Sequence, residues 1–110
     1  MSKKTIEYLE KAKKHLRGIA RYTEKKHGPA QREKYLGQIK ARIIELKSNS
    51  ELGRERPEIR AEIRSLMAGK HVIFYRVKEA RIQILEVRQE SRDLKPQTWK
   101  KRGIIRNRGD

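Results

Sequence analysis

Five arginines carry most of the chemistry that this sequence can offer, because a small sheet would bring them onto neighbouring strands: Arg60, Arg64, Arg76, Arg88 and Arg92. A guanidinium group binds carboxylates and phosphates through paired hydrogen bonds. Such a cluster can stabilise the charged transition state of RNA cleavage, a reaction that also needs a base and an acid. It can instead seat an acidic protein segment. A third interpretation is that the arginines only keep an open sheet face soluble.

The spacing of the histidines and carboxylates gives few further candidates for a metal site or for acid–base chemistry. His15 and His27 lie on or just after a lysine-rich helix, too far from each other and from carboxylate pairs to suggest a metal site. His71 opens an apolar strand, where a structural role is the simple interpretation and a target contact is the alternative. Glu58 and Glu62 are base candidates, although solvated charges at a strand edge explain them as well. We expect no metal and no cofactor.

Composition restricts the class of partner. The 110 residues carry a formal net charge of +16 and only 35% are hydrophobic. Such a balance favours nucleic acid, an anionic membrane or an acidic protein as partner and does not choose among them. The chain has no cysteine, which excludes thiolate nucleophiles and disulfides. No apolar run is long enough for a signal peptide or a membrane span, so we expect a cytoplasmic protein with no membrane partner.

The N-terminal half has the period of two helices. From Leu9 to Tyr22 the apolar residues recur at steps of three and four, which predicts a helix that ends near Gly28. Pro29 is suited to the first turn of a second helix, whose apolar positions run from Tyr35 to Leu46. The lysine face of the first helix, with Lys11, Lys13, Lys14 and Arg17, is interpreted as solvated surface or, alternatively, as a nucleic-acid contact.

Three strands are predicted after the hairpin, at 59–67, 71–77 and 81–87, from alternation and from β-branched and aromatic residues. Residues 4–8 favour a short strand ahead of the helices. Short connections imply antiparallel pairing. We therefore predict an α+β fold, in which an N-terminal helical hairpin packs on a small antiparallel sheet of three to four strands. Arg60 and Arg64 are then expected on one strand face, with Arg76 extending the cluster.

The chain is predicted to divide at residue 94. Residues 95–110 are rich in lysine and arginine and are interpreted as a basic tail, while residues 1–94 form the domain. Trp99 lies among the basic residues of the tail. A lone aromatic in this setting either stacks on a base, anchors in a partner's pocket, or belongs to a disordered segment.

Several stretches, in order along the chain, resemble the ParE toxins of the RelE/ParE superfamily. The stretch G-K-H-V-I-F-Y-R at 69–76 is similar to their central strand. Upstream, I-A-R-Y-T at 19–23 followed by Gly28, Gln31 and Tyr35 resembles another pattern of the family. L-G-R at 52–54 and E-I-R at 58–60, with Arg64 further on, resemble a third. The similarity covers residues 9–94.

The resemblance implies the toxin component of a type II toxin–antitoxin system. It implies inhibition of DNA gyrase by binding, neutralisation by a ParD-like antitoxin, and contact with operator DNA only through the antitoxin complex. Gln89 stands where many members have histidine, and glutamine cannot carry a proton. We therefore expect a toxin that is not an enzyme. The alternatives are a RelE-like ribosome-dependent mRNA endonuclease that uses the sheet arginines, and a general nucleic-acid-binding domain.

The residues that we expect to contact the antitoxin or the target are those of the arginine surface, the strand histidine and the tail tryptophan: Arg60, Arg64, His71, Arg76, Arg88, Arg92 and Trp99. No catalytic residue is assigned.

Overall fold

The computed structural model describes residues 4–90. Its elements in chain order are β1 (Thr5–Tyr8), α1 (Glu10–His27), α2 (Pro29–Glu45), β2 (Arg54–Glu55), β3 (Ile63–Ala68), β4 (His71–Lys78) and β5 (Arg81–Gln89). The strands form one sheet in the order β1-β5-β4-β3-β2. Neighbours from β2 to β5 are antiparallel, whereas β1 runs parallel to β5. The predicted α+β fold is confirmed.

The helical hairpin forms where the glycine and proline predicted it. Gly28 has a φ of 93°, a conformation that glycine adopts without strain, and its N–H donates to the Glu24 carbonyl. Pro29 then supplies the first residue of α2. Ala12 and Leu16 of α1 are buried and Ile19 packs against the core, so this part of the predicted apolar stripe faces the sheet, whereas Tyr22 at its end is 62% exposed.

Each face of the sheet carries its own apolar cluster. On the helix-covered face, Ile39 and Ile43 of α2 pack with strand residues such as Ile73 and Ile84. The opposite face holds a smaller cluster that consists of Ile59, Ile63, Val72, Phe74 and Leu85. Val72 and Phe74 alternate with Ile73 and Tyr75 along β4, which is why one strand contributes to both clusters.

Two parts of the sheet differ from the sequence prediction. The sheet has five strands rather than three to four, because a two-residue β2 adds one edge and β1 adds the other in parallel orientation. The strand predicted from Ile59 begins only at Ile63. Residues before it form turns, in which the N–H groups of Ile59 and Arg60 both donate to the Arg56 carbonyl. Ile59 and Ile63 reach the same apolar cluster through turn spacing rather than strand alternation.

Candidate functional site

The predicted arginine cluster is divided between the two sheet faces. Pairing sets Ile63 opposite Arg76 and Arg64 opposite Tyr75, so Arg64 and Arg76 project from opposite faces. Arg60 lies in the turn before β3 and not on the strand. The prediction that Arg60 and Arg64 share a strand face, extended by Arg76, is therefore wrong. It depended on a strand that starts four residues later than expected.

The Arg64 side chain is hydrogen-bonded to the loop that precedes β2. Its Nη1 donates to the carbonyl oxygens of Gly53 at 2.7 Å and Glu51 at 3.3 Å, and its Nη2 lies 3.2 Å from a carboxylate oxygen of Glu55. These contacts join the loop to β3. Arg64 is thus part of the scaffold, with its donors directed at its own chain.

Arg60 and Arg76 meet at one carboxylate. Glu62 Oε2 lies 3.3 Å from Arg60 Nε and 3.8 Å from Arg76 Nη1. Arg76 Nε also donates to Gln83 Oε1 at 2.7 Å, and the Gln83 amide donates to Glu7 at 3.1 Å. The structure therefore brings Arg60 and Arg76 together, with Glu62 between them.

Arg88 is held by a buried carboxylate on its own strand. Arg88 Nη1 lies 2.9 Å from Glu86 Oε1, and the two side chains are 11% and 0% exposed. The other carboxylate oxygen, Glu86 Oε2, has no hydrogen-bond partner. Because a buried charge without a counter-charge is costly, this pair is best understood as mutual neutralisation.

His71 lies on the helix-covered side of the sheet end and contacts α2. Its Nδ1 lies 2.6 Å from the Tyr35 hydroxyl oxygen, which also accepts the Lys70 N–H at 2.9 Å. The single hydrogen of the Tyr35 hydroxyl has two acceptors within reach, His71 Nδ1 at 2.6 Å and the Ala68 carbonyl oxygen at 3.5 Å, and the shorter distance favours donation to Nδ1 of a neutral imidazole. Burial lowers the pKa of His71 below 6.5, in the same direction. Across the sheet, His71 pairs with Gln89.

Neither base candidate lies free beside the arginines. Glu62 is ion-paired with two guanidinium groups, as described above. The hydrogen bond from Arg56 holds the pKa of Glu58 below its usual range, with a smaller contribution from the peptide N–H of Glu58 itself. A carboxylate with a lowered pKa is a weaker base.

A groove along the helical hairpin was not predicted from the sequence. It has a volume of about 730 Å³, and its apolar floor consists of Tyr8, Leu16, Ala20 and Leu36. Four basic residues and one acidic residue surround the floor: Lys13, Arg17, Arg32, Lys40 and Glu33. A signal for it was present, because basic residues flank the apolar stripe on both helices. Only the folded hairpin shows that the two stripes leave a gap.

Other kinds of site find no support within residues 4–90. No group of three His, Cys, Asp or Glu side chains is arranged to hold a metal ion. Neither helix there has the length and apolarity to span a membrane. Arg92 and Trp99, two of the residues predicted to bind a partner, lie outside the described part of the chain, as does the predicted basic tail.

Known proteins resemble this chain over most of its length. Residues 6–94 match the family model described as the ParE toxin of the type II toxin–antitoxin system parDE. Toxin ParE1 of Mycobacterium tuberculosis is 36% identical over 84 residues, which are 76% of this chain and 86% of that protein. Toxin ParE1 of Caulobacter vibrioides is 32% identical over 81 residues, 74% of this chain and 83% of that protein.

Solved structures give the same fold. A structure described as the chromosomal ParDE system of P. aeruginosa superposes with a TM-score of 0.69 at 24% identity, covering 78% of this chain and 95% of the other. The RelBE2 toxin–antitoxin complex of Mycobacterium tuberculosis gives a TM-score of 0.61 at 15% identity, covering 80% and 99%. These identities support the fold alone. The match to the family model and the ParE1 relatives shows that the chain belongs to the ParE toxin family of type II toxin–antitoxin systems.

Proposed function

We propose that this chain inhibits DNA gyrase by binding and is neutralised in the cytoplasm by a ParD-like antitoxin. Its membership of the ParE family and the ParDE description of its structural neighbour support both partners. The family match ends at residue 94, which supports treating 95–110 as a separate basic tail.

The observation that carries the choice of a binding toxin over a ribonuclease is the pairing of the sheet arginines. Catalysis of RNA cleavage needs cationic groups aimed at the phosphate and a proton carrier beside them. Here Glu62 bridges Arg60 and Arg76, and Glu86 neutralises Arg88. His71 lies toward α2, hydrogen-bonded to Tyr35, and not among those arginines.

The hairpin groove supports an antitoxin partner of defined chemistry. Its floor is apolar, and four of the five charged residues around it are basic. An acidic amphipathic helix would bury its apolar side on Leu16, Ala20 and Leu36 and set its carboxylates against the rim. We place the antitoxin there because Arg17 and Lys40 at the groove have no ion pair within residues 4–90, whereas Arg60, Arg64, Arg76 and Arg88 of the sheet each have an acidic partner. Lys13 and Arg32, also at the groove, are already paired with Glu10 and with Glu24 and Glu33.

The chain's own charge supports the same choice. A net charge of +16 repels itself in the folded state, and an acidic partner would relieve that repulsion. Electrostatic attraction between the two proteins would also raise the rate of association, and salt would lower it.

Expression in bacteria distinguishes the proposed target from the ribosome. We expect that induction of the chain alone stops growth, causes filamentation and induces the DNA-damage response, and that co-expression of the cognate antitoxin restores growth. Immediate loss of protein synthesis with cleaved messages would instead identify a RelE-like endonuclease. Normal growth with undiminished accumulation of the protein would contradict both.

A further inference from the structure

A second cleft lies between α1 and the adjoining ends of β4 and β5, with a volume of about 740 Å³. Residues of α1 form one wall and strand residues form the other: Lys14, His15, Gly18, Ile19 and Tyr22, then His71, Val87, Arg88 and Gln89. It shares no lining residue with the hairpin groove. Its volume is in the range of small-ligand sites.

The lining of this cleft is basic and contains no carboxylate among the described residues. The Arg88 side chain is paired with Glu86 and, like Val72 opposite it, lies toward the sheet face away from the helices. The cationic group that the cleft offers is therefore Lys14, which has no ion pair within the part of the chain that the structure describes. A cationic cleft without its own acid attracts anions, and lysine is a common ligand of phosphate.

Two imidazoles line the cleft, and His71 adds a hydrogen-bond donor to it. His71 Nδ1 is engaged by the Tyr35 hydroxyl at 2.6 Å, which leaves Nε2 as the ring nitrogen for a ligand. His15 Nδ1 accepts the Val87 N–H at 3.2 Å, so its neutral form carries hydrogen on Nε2. Both rings are therefore fixed in orientation by the surrounding backbone and side chains.

Tyr22 gives the cleft an aromatic surface. Its side chain is 62% exposed, an unusual exposure for a large ring in a chain with few aromatic residues. Exposed aromatic rings beside basic groups bind nucleobases by stacking, and such stacking tolerates any base. Phosphate-binding groups and a stacking surface thus line one cavity.

We propose that this cleft binds a nucleotide phosphate, with Lys14 and His71 holding the phosphate and Tyr22 stacking on the base. The ligand is either a free mononucleotide or the phosphorylated end of a nucleic-acid strand, which present the same chemistry. The site is independent of the antitoxin groove and of the proposed action on gyrase.

A pKa change at His71 would report the bound phosphate. Burial holds its pKa below 6.5. A phosphate in the cleft would raise that pKa, because the negative charge stabilises the imidazolium. The titratable groups near His71 are Tyr35, which is hydrogen-bonded to it, Lys14 and His15 across the cleft, and Lys70 and Glu90 at the same sheet end. Glu90 does not line the cleft, so a bound phosphate would add a negative charge directly beside the imidazole.

The test is titration of the full-length chain with adenosine monophosphate, inorganic phosphate and adenosine, followed by calorimetry and by the imidazole proton resonances in NMR. We expect the monophosphate to bind more tightly than either fragment and to raise the pKa of His71. Comparing an oligonucleotide that has a 5′ phosphate with the same oligonucleotide that has a 5′ hydroxyl shows whether the cleft also binds the end of a nucleic-acid strand. Absence of any His71 response to all phosphate ligands would overturn the proposal.

Matched variants distinguish binding of the monophosphate in this cleft from general electrostatic attraction of phosphate to a basic protein. Lys14→Ala should weaken monophosphate binding about tenfold, whereas Lys25→Ala removes the same charge from α1 outside the cleft and should change it less than about twofold. Tyr22→Ala should weaken binding of the monophosphate but leave binding of inorganic phosphate unchanged. Equal weakening by Lys14→Ala and Lys25→Ala would contradict a defined site.

A variant that fills the cleft gives a test that does not remove any charge. A Cβ atom at Gly18 would meet no atom within 4 Å, so Gly18→Leu enters open space beside the ligand. We expect binding to be lost while the thermal midpoint does not fall. Gly37→Leu, on α2 and equally open, is the control that should retain binding. Retained binding in Gly18→Leu would contradict the proposed location.

Discussion

The hydroxyl oxygen of Tyr75 lies 2.8 Å from the backbone nitrogen of Gly53, whose N–H donates to it. Tyr75 in turn donates to the Ser50 carbonyl at 2.8 Å, so one buried ring holds two points of the loop after α2. A Cβ atom at Gly53 would lie 2.6 Å from the Tyr75 ring and 2.8 Å from the Ser65 carbonyl. The glycine of the L-G-R stretch is therefore required by this close approach.

Gly53→Ala should destabilise the fold, because the new methyl group must displace the Tyr75 ring or the β3 backbone. We expect a decrease of about 1–3 kcal/mol in the free energy of unfolding, measured by urea denaturation. Gly37→Ala, on an open helix surface, should instead increase it by about 0.5–1 kcal/mol. A neutral Gly53→Ala would contradict the contact.

Removing one member of the Glu86–Arg88 pair should destabilise the fold far more than removing both members. Arg88→Met leaves a fully buried carboxylate without its counter-charge, so we expect a loss of about 3–5 kcal/mol in the free energy of unfolding. The double variant with Glu86→Leu removes both charges and should recover most of that loss. Chemical denaturation of the two single variants and the double variant measures the coupling, and additive effects would rule out the pair.

Stability should fall on mild acidification because of His71. Its folded-state pKa is lowered by burial, so the unfolded chain binds more protons below about pH 6.5 and unfolding is favoured as the pH falls. His71→Gln should flatten the stability profile between about pH 7 and 5 relative to wild type. His27→Gln removes an exposed imidazole and is the control. Parallel profiles for wild type and His71→Gln would contradict the burial effect.

Charge reversal on the hairpin groove should weaken antitoxin binding. We expect Arg17→Glu with Lys40→Glu to lower affinity for the cognate antitoxin by about tenfold or more, and more strongly at low salt, because both residues border the groove. Lys25→Glu with Lys34→Glu makes the same charge change on the same helices outside it. Calorimetry at low and high salt measures the difference, and equal losses for the two double variants would place the antitoxin elsewhere.

Local periodicity was sufficient to predict the two helices and two of the strands. The stripe from Leu9 to Tyr22 and the Gly28-Pro29 step predicted α1 and the start of α2 because they depend on neighbours along the chain. The same holds for β4, and for β5, where Ile82 and Ile84 lie on one buried face as predicted.

The features that were not predicted from the sequence depend on contacts between residues far apart in the chain. The parallel position of β1 depends on contacts with β5, which is more than seventy residues later in the chain. Alternation from Ile59 suggested a strand, but the Arg56 carbonyl accepts N–H groups of the following turn instead. Similarly, no local pattern shows that Glu62 would meet both Arg60 and Arg76, or that two helical stripes would leave a groove.

The most direct test of the central claim is a supercoiling assay with purified gyrase, relaxed plasmid and the full-length chain. We predict that supercoiling is inhibited at micromolar or lower toxin and is restored by a stoichiometric amount of cognate antitoxin, with no cleavage of RNA in a parallel translation reaction. Undiminished supercoiling at that concentration, together with messages cleaved on ribosomes, would contradict the account.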